Sequence, residues 1–385
     1  TLSITVEAKS RGLRAILVPK ANFREATLVK GMDVYPVASL REAIDLLESE
    51  ELPPPAEPYC RTALPRDLPD LSEVKGQFVA RRAIEIAAAG GHNLLLSGPP
   101  GAGKTLLARR MPSILPELGF EDALEVTKVH SVAGRLSGND TLLTDPPFRA
   151  PHHTVSYAGL LGGGGPIRPG EVTLAHRGVL FLDELPEFRR DALEALRQPL
   201  EAGAVVIARA SGSLRLPSRF ILVAAMNPCP CGMSGDGTDP CTCDDAAFKR
   251  YRGRVSGALL DRFDLRVEMA VPEQVATGDV EAGEGSAAVA RRVARARALQ
   301  RARFTGDSDE LLNAAMEGQR LENHTAMTTE GRRVLAEGSR RLNLSLRGRA
   351  RVLRVARTIA DLGKSSRIEL PHLAEALQYR DFGRR

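Results

Sequence analysis

The chain has 385 residues, 43% hydrophobic and 26% charged, with a formal net charge of +5. This is an ordinary globular composition, long enough for two or three units that each bury a core. No apolar run approaches the roughly 18–20 residues that cross a bilayer and no charged-then-apolar leader opens the sequence, so spanning and secretion are disfavoured and a cytoplasmic location is expected. Because Thr1 falls in what reads as the interior of a domain, the chain is expected to be a fragment of a longer protein.

Residues 1–48 read as short β/α pieces, with a strand around Leu13–Pro19 and an amphipathic helix in SLREAIDLLESE. The stretch LPPPAEPYC holds neither a helix nor a central strand, so 49–66 is expected to be a linker. From Leu71, SEVKGQFVARRAIEIAAAGG predicts a helix with Ser72 as its N-cap and Gly90-Gly91 as its stop. HNLLLSGPP then reads as a buried parallel strand, and similar apolar runs recur in VLFLDEL (179–185) and FILVAAMNP (220–228). Strands separated by helical or irregular stretches predict an α/β sheet over 67–271. Within that span, 130–170 is rich in Gly, His and Arg with little periodicity. VVIARASGSLRLPS (205–218) alternates apolar and basic residues about Ser211-Gly212, as a β-hairpin does. Beyond 271 the strand signal fades, and helical patterns over 287–304 and 325–380 predict an all-α module spanning 272–385. There is no internal repeat.

Charge is uneven. Residues 291–385 carry 21 Lys/Arg against 11 Asp/Glu, a local +10, so the rest of the chain sums to −5. A basic module on a mildly acidic body suits a polyanion-facing or subunit-facing surface, or simply an Arg-rich solvated bundle.

Gly98-Pro99-Pro100-Gly101-Ala102-Gly103-Lys104-Thr105 fits the spacing G-x-x-x-x-G-K-[ST], directly after a strand and before the helical run that Leu106 opens. Glycines there let backbone N–H groups curl round phosphates, Lys104 reaches the β and γ oxygens, and Thr105 offers a hydroxyl to Mg²⁺. In Val179-Leu180-Phe181-Leu182-Asp183-Glu184 an apolar strand runs into two carboxylates. Alone that is a solvated strand end. With a phosphate loop upstream it predicts Asp183 in the Mg²⁺ shell and Glu184 polarising the attacking water. Asn227 ends the next strand, where its amide would orient that water; an ordinary Asn-Pro turn is the alternative. Arg262, in Leu259-Leu260-Asp261-Arg262-Phe263-Asp264, is either a surface ion pair or a finger onto a neighbour's γ-phosphate.

Of five cysteines, Cys60 stands apart, whereas Cys229, Cys231, Cys241 and Cys243 crowd together. Four sulfurs over so short a span predict a tetrahedral Zn²⁺ site, although C-x-C is tighter than the usual spacing; reduced free thiols are the alternative.

With these motifs in this order, the chain resembles AAA+ ATPases of the magnesium-chelatase type, and more closely the ComM/YifB family of bacterial magnesium-chelatase-like proteins. The specific likeness lies in Phe148-Arg149-Ala150-Pro151-His152-His153-Thr154, the Gly162–Gly165 run, Arg168-Pro169-Gly170-Glu171, Leu174-Ala175-His176 and Asn227-Pro228-Cys229-Pro230-Cys231-Gly232. The resemblance implies an AAA+ P-loop NTPase fold with helical insertions, an all-α C-terminal lid, and over 1–48 the end of a Lon-protease-like (S5-type) domain, for which no Ser–Lys pair can be assigned. It further implies that Lys104 and Thr105 are the Walker A pair, Asp183 and Glu184 Walker B, Asn227 sensor 1 and Arg262 a trans-acting arginine finger. Arg347 is then sensor 2, with Arg349 its competitor. ATP and Mg²⁺ follow as cofactors, a hexameric ring as the assembly, and DNA translocation or branch migration as the work.

In related helicases loops matching 130–170 and 205–218 line the central pore. Arg149, His152, His153, Arg209 and Arg215 are the candidate phosphate contacts and Tyr157 a stacking residue; bracing of subunit contacts is the alternative. With 4% aromatic residues and no Trp, any such binding is expected to follow the nucleic-acid backbone and to ignore base sequence. Two other functions fit the same ATP site: a chelatase subunit driving Mg²⁺ insertion into a porphyrin, and a MoxR-like chaperone acting on protein.

Overall fold

The computed structural model describes residues 1–49, 51–57, 68–136, 142–165, 167–209, 212–234, 241–271, 283–304 and 312–380. They fall into two compact units, Thr1–Asp67 with Glu117–Asp145, and Leu68–Pro116 with Pro146–Arg385. Among the described residues no helix is long and apolar enough to cross a membrane.

In the smaller unit, strands Ala15–Pro19 and Asp33–Val37 pair in parallel. Their apolar face meets Leu2, Ala8, Ala26, Leu28, Val29 and Leu124 in one core. Helix Leu2–Ser10 and helix Phe120–Val132 close that core, and neither was expected from the sequence. The expected amphipathic helix forms at Leu40–Glu48, started by Ser39, whose hydroxyl accepts the Glu42 N–H at 3.2 Å. Its apolar residues Leu40, Ile44 and Leu47 stay exposed.

The larger unit is built on five parallel strands: β1 (Leu94–Ser97), β2 (Phe148–Arg149), β3 (Val179–Leu182), β6 (Ile221–Met226) and β7 (Leu265–Glu268), in the order β7-β1-β6-β3-β2. Outside this sheet, β4 (Ala204–Arg209) and β5 (Gly212–Pro217) form the expected antiparallel hairpin, with Val206 opposite Arg215. The central strands are apolar throughout because both faces are covered, and the pleat sends alternate residues to opposite sides. Leu94, Leu96, Phe181, Val223 and Ala225 join one core; Leu95, Leu180, Leu182, Leu222 and Ala224 join the other.

Two expectations need correction. The helix predicted from Leu71 begins at Phe78, giving α1 (Phe78–Gly90). Gly76 and Gln77 take left-handed backbone conformations that break it, and Leu71–Glu73 is a separate short turn capped by Asp70 instead of Ser72. Its stop is where expected, at Gly91 with φ +73°. The second concerns 130–170, which is less irregular than its sequence suggests. It contributes β2 to the sheet edge and the short helix Tyr157–Leu161, elements of two and five residues that are too short to show periodicity.

A short helix, α2 (Lys104–Ala108), follows the phosphate-loop stretch, and the C-terminal part is helical as expected: α3 (Ser286–Arg303), α4 (Thr329–Arg341), α5 (Leu346–Leu362) and α6 (Leu370–Gln378). Val293, Ala296, Val352, Val355 and Ile359 share the core of α1 and β1. Buried Glu85 on α1 accepts from Arg292 at 2.6 Å and from Arg82 at 3.0 Å. A buried polar chain runs beside these contacts: His92 lies 3.3 Å from Asp264 and 2.8 Å from Thr358, and Asn313 links Thr358 to Asp361.

Candidate nucleotide site

Parallel strands bring their carboxyl ends to one sheet edge, where ligands of open α/β sheets bind. Here the ends of β1, β3 and β6 carry the phosphate-loop sequence, Asp183-Glu184 and Asn227. The loop is pinned to its neighbours: Gly98 N–H donates to Met226 O at 3.2 Å, and a Cβ on Gly98 would come within 2.3 Å of Met269 O. Gly101 and Gly103 have φ of +82° and +86°, a conformation costly for any side-chain-bearing residue. Buried Ala102 anchors the turn, while Thr105 and the exposed Leu106 follow Lys104 in the short helix Lys104–Ala108.

Lys104 Nζ donates to Gly98 O at 2.6 Å, Pro99 O at 2.8 Å and Asn227 Oδ1 at 3.1 Å. Burial pushes its pKa down, while Asp183 and Glu184 pull it back up. Thr105 Oγ1 donates to Asp183 Oδ2 at 2.6 Å. The structure therefore brings Lys104 directly onto Asn227 and Thr105 directly onto Asp183. A hydroxyl on a carboxylate beside a glycine-lined loop is the donor set a hard divalent cation takes, so these residues fit Mg²⁺. Glu184 faces another partner. It sits at φ +53°, its N–H donates to Asp183 Oδ1 at 3.0 Å, and its carboxylate lies 3.3 Å from His153 Nδ1. A non-glycine residue held left-handed stores of order 1–3 kcal/mol of strain that the surrounding structure must support.

His153 stacks against His152 with ring centroids 4.0 Å apart, and His152 pairs with Thr154 at 2.9 Å. The contact of His153 with Glu184 joins positions 31 apart, and no local sequence pattern signals it. Arg149 makes a two-pronged ion pair with Glu171, at 2.6 and 2.9 Å. Tyr157 and Arg215 are exposed; the Arg209 side chain and Ser211 lie outside the described residues.

Arg262 ion-pairs with Glu201 of the same chain, and its Nε has no hydrogen-bond partner among the described residues. Burial lowers its pKa, and the nearby positive charges of Arg351, Arg347 and Arg197 lower it further. Arg347 is exposed in the first turn of α5, as is Arg349. Arg351, which sequence reading passed over, is buried 3.7 Å from Asp264. Asn93, just before β1, braces the same stretch, donating to Arg262 O at 3.0 Å and accepting from Leu222 N–H at 2.9 Å.

The cysteines converge. Cys229, Cys231, Cys241 and Cys243 place their sulfurs within 4.8 Å of one another. Cys229–Cys231 is 3.3 Å, Cys231–Cys241 3.6 Å and Cys229–Cys241 3.7 Å. A tetrahedron with Zn–S bonds of about 2.3 Å has edges of about 3.8 Å, so the cluster fits the ion with little movement. The Met233 backbone N–H, helped by neighbouring thiols, holds the Cys231 thiol down to about 6, while neighbouring thiols and desolvation push Cys241 and Cys243 up. Cys60 lies outside the described residues.

The sequence matches the family of the magnesium chelatase subunit ChlI over residues 70–277 and that subunit's C-terminal family over 283–380. It is 42% identical to the competence protein ComM of Haemophilus influenzae, the alignment covering 97% of this chain and 73% of that protein. It is also 42% identical to YifB of Escherichia coli over 100% of this chain and 74% of that protein. An uncharacterized protein of Mycobacterium tuberculosis is 45% identical over 100% of this chain and 76% of its own length. With relatives aligned end to end on this chain and the parallel sheet and helical C-terminal part in place, the chain belongs to the ComM/YifB family of magnesium-chelatase-like AAA+ ATPases.

Proposed function

We propose that this protein hydrolyses ATP between adjoining protomers of a homo-hexameric ring and uses the cycle to move DNA. The convergence of Lys104, Thr105, Asp183 and Asn227 at one sheet edge carries the ATP part of this reading. Lys104 exchanges its loop carbonyls for the β and γ phosphate oxygens, and Thr105 with Asp183 would hold Mg²⁺, which would supply neutralisation of phosphate charge. Glu184, held by His153, takes the proton of the attacking water, and Asn227 orients that water. Arg262 leaves Glu201 to reach the neighbour's γ-phosphate, and Arg347, within its charge range, approaches the same triphosphate. The four cysteines hold a structural Zn²⁺. Residues 1–48 are read as the end of a Lon-protease-like domain.

The DNA part rests on likeness to a competence protein, on the basic charge of 291–385, and on an exposed hairpin that carries Arg215. ATP turnover measured at low salt with and without single-stranded or forked DNA tests it. Stimulation by DNA of any sequence is expected, and turnover indifferent to DNA would leave protein remodelling or porphyrin metallation as the work of the ring.

A further inference from the structure

The four-cysteine loop and the nucleotide site share a residue. Asn227, whose Oδ1 meets the Lys104 ammonium, is separated from the buried Cys229 sulfur site by Pro228 alone, and Pro230 follows. Two prolines with fixed φ leave little slack between the amide and the sulfurs. Three residues on, Gly232 turns back with φ +84° and donates its N–H to Cys229 O at 3.1 Å. There it lies against the phosphate loop itself: a Cβ at Gly232 would stand 2.7 Å from Pro100 Cδ and 3.0 Å from Pro100 Cγ.

The second cysteine pair returns to the same place by another route. Cys241 and Cys243 lead into the helix Asp245–Gly253, started by Asp244, which accepts the Ala247 N–H at 2.5 Å. That helix carries Tyr251, a buried phenol that burial pushes up to about 12 and that the Asn227 backbone, close enough to act on it, pulls back down. The chain thus makes a closed circuit from Asn227 through Cys229, across the sulfur cluster to Cys243, along the helix, and back through Tyr251 to Asn227. Without a bond across the cluster the circuit is open, and holding its two halves together costs loop-closure entropy.

Building on the zinc reading above, we propose that the metal-filled cluster is a splint for ATP turnover: it touches no nucleotide but fixes Asn227 and the Pro100 side of the phosphate loop. Asn227 and Pro100 are then positioned by the metal loop as much as by the sheet. Residues of the loop act as positioning residues, through Asn227.

The test uses the full chain, with zinc content by elemental analysis, thermal midpoint, ATP affinity and turnover measured side by side. Wild type is expected to carry about one zinc per chain. Cys243→Ser is expected to lose it together with at least about tenfold in turnover, the scale of a lost supporting contact at a metal site. Gly232→Ala and Tyr251→Phe leave all four ligands in place. Both are expected to keep the zinc, Tyr251→Phe with a near-normal melting point and Gly232→Ala with a lower one because its left-handed backbone strains any side chain, while turnover falls about three- to tenfold and ATP affinity changes less, because Asn227 acts on the water and not on the bulk of the nucleotide. Wild-type turnover in both of these zinc-loaded variants overturns the splint, even where Cys243→Ser fails to fold. Zinc present, but freely removable by chelator with no loss of turnover, also overturns it while leaving the metal site standing. Absence of zinc from wild type removes the metal reading and the splint with it, and leaves the ATP site untouched.

Discussion

The sheet edge at Lys104 and the surface around the β4–β5 hairpin differ in what satisfies their polar side chains. At the sheet edge the groups satisfy one another: ammonium on amide and loop carbonyls, hydroxyl on carboxylate, each partner fixed by a buried strand. At the surface the basic groups are engaged by carboxylates of their own chain or stand exposed: Arg149 on Glu171, Arg262 on Glu201, Arg215 open to solvent. A site whose parts already converge in one chain declares its chemistry. A site whose arginines are held by exchangeable carboxylates acquires its chemistry when a second molecule arrives, because a half-exposed ion pair contributes only about 0–1 kcal/mol and yields readily to a triphosphate or a phosphodiester.

Breaking the first region gives the largest effect. Lys104→Ala removes the point charge on the transferring phosphoryl group, and turnover is expected to fall by at least about 10³, to background in a phosphate-release assay. Near-normal turnover in that variant rejects the phosphate-loop assignment altogether.

Arg262→Ala probes the boundary between the two regions. Loss of a finger supplied in trans is expected to lower turnover by about 10³ or more while ATP affinity, read with a fluorescent analogue, stays within a few fold. Loss of affinity instead places Arg262 beside its own chain's nucleotide. Glu201→Ala sharpens the point: it frees the same guanidinium and is expected to change turnover by no more than about fivefold, the most a half-exposed pair contributes.

The contrast also explains what could be read from sequence. The nucleotide elements were legible because each is a contiguous motif whose spacing encodes its geometry: the glycines of 98–103, the apolar run into Asp183-Glu184, the strand into Asn227. The contacts that orient them were not. His153 on Glu184, Asn93 under Arg262, Arg351 beside Asp264 and Tyr251 on Asn227 join residues far apart in the chain, and each of those residues alone looks like any surface or core side chain. Periodicity failed where elements were too short for it, as in β2, and where two left-handed residues, Gly76 and Gln77, broke an otherwise continuous helical pattern. The cysteine cluster was visible as composition, but its hold on the phosphate loop through Gly232 and Pro100 needed coordinates.

Within the second region the expected effects are graded and depend on salt. Arg215→Ala is expected to weaken DNA binding uniformly across sequences and to reduce the slope of log K against log salt by about one, one phosphate contact fewer. An unchanged slope removes Arg215 from the DNA surface and leaves the hairpin a purely structural or subunit-facing element.

The smallest effect concerns stability, at a point where the α/β core meets the helical module. Asp70 accepts the Ser72 N–H at 2.8 Å and the Ser286 N–H at 3.0 Å, so one carboxylate caps both the Leu71–Glu73 turn and the start of α3. Ser286 in turn accepts the Leu71 N–H at 2.7 Å. Hydrogen bonds from Ser72, with Ser286 adding to them, hold the Asp70 carboxyl down to about 2 from an ordinary 3.8. A folded-state value below the unfolded one means the contribution is complete above about pH 4 and is lost as pH falls toward 2. Asp70→Ala is expected to cost about 1 kcal/mol at pH 7, the usual worth of a cap, seen as a lower urea midpoint with unchanged slope. Asn caps helices about as well as Asp but does not titrate, so Asp70→Asn is expected to keep most of that stability at pH 7. Its difference from wild type should shrink between pH 4 and pH 2. A wild type and an Asn variant that lose stability in parallel over that interval place the acid sensitivity elsewhere and reduce Asp70 to an ordinary turn residue.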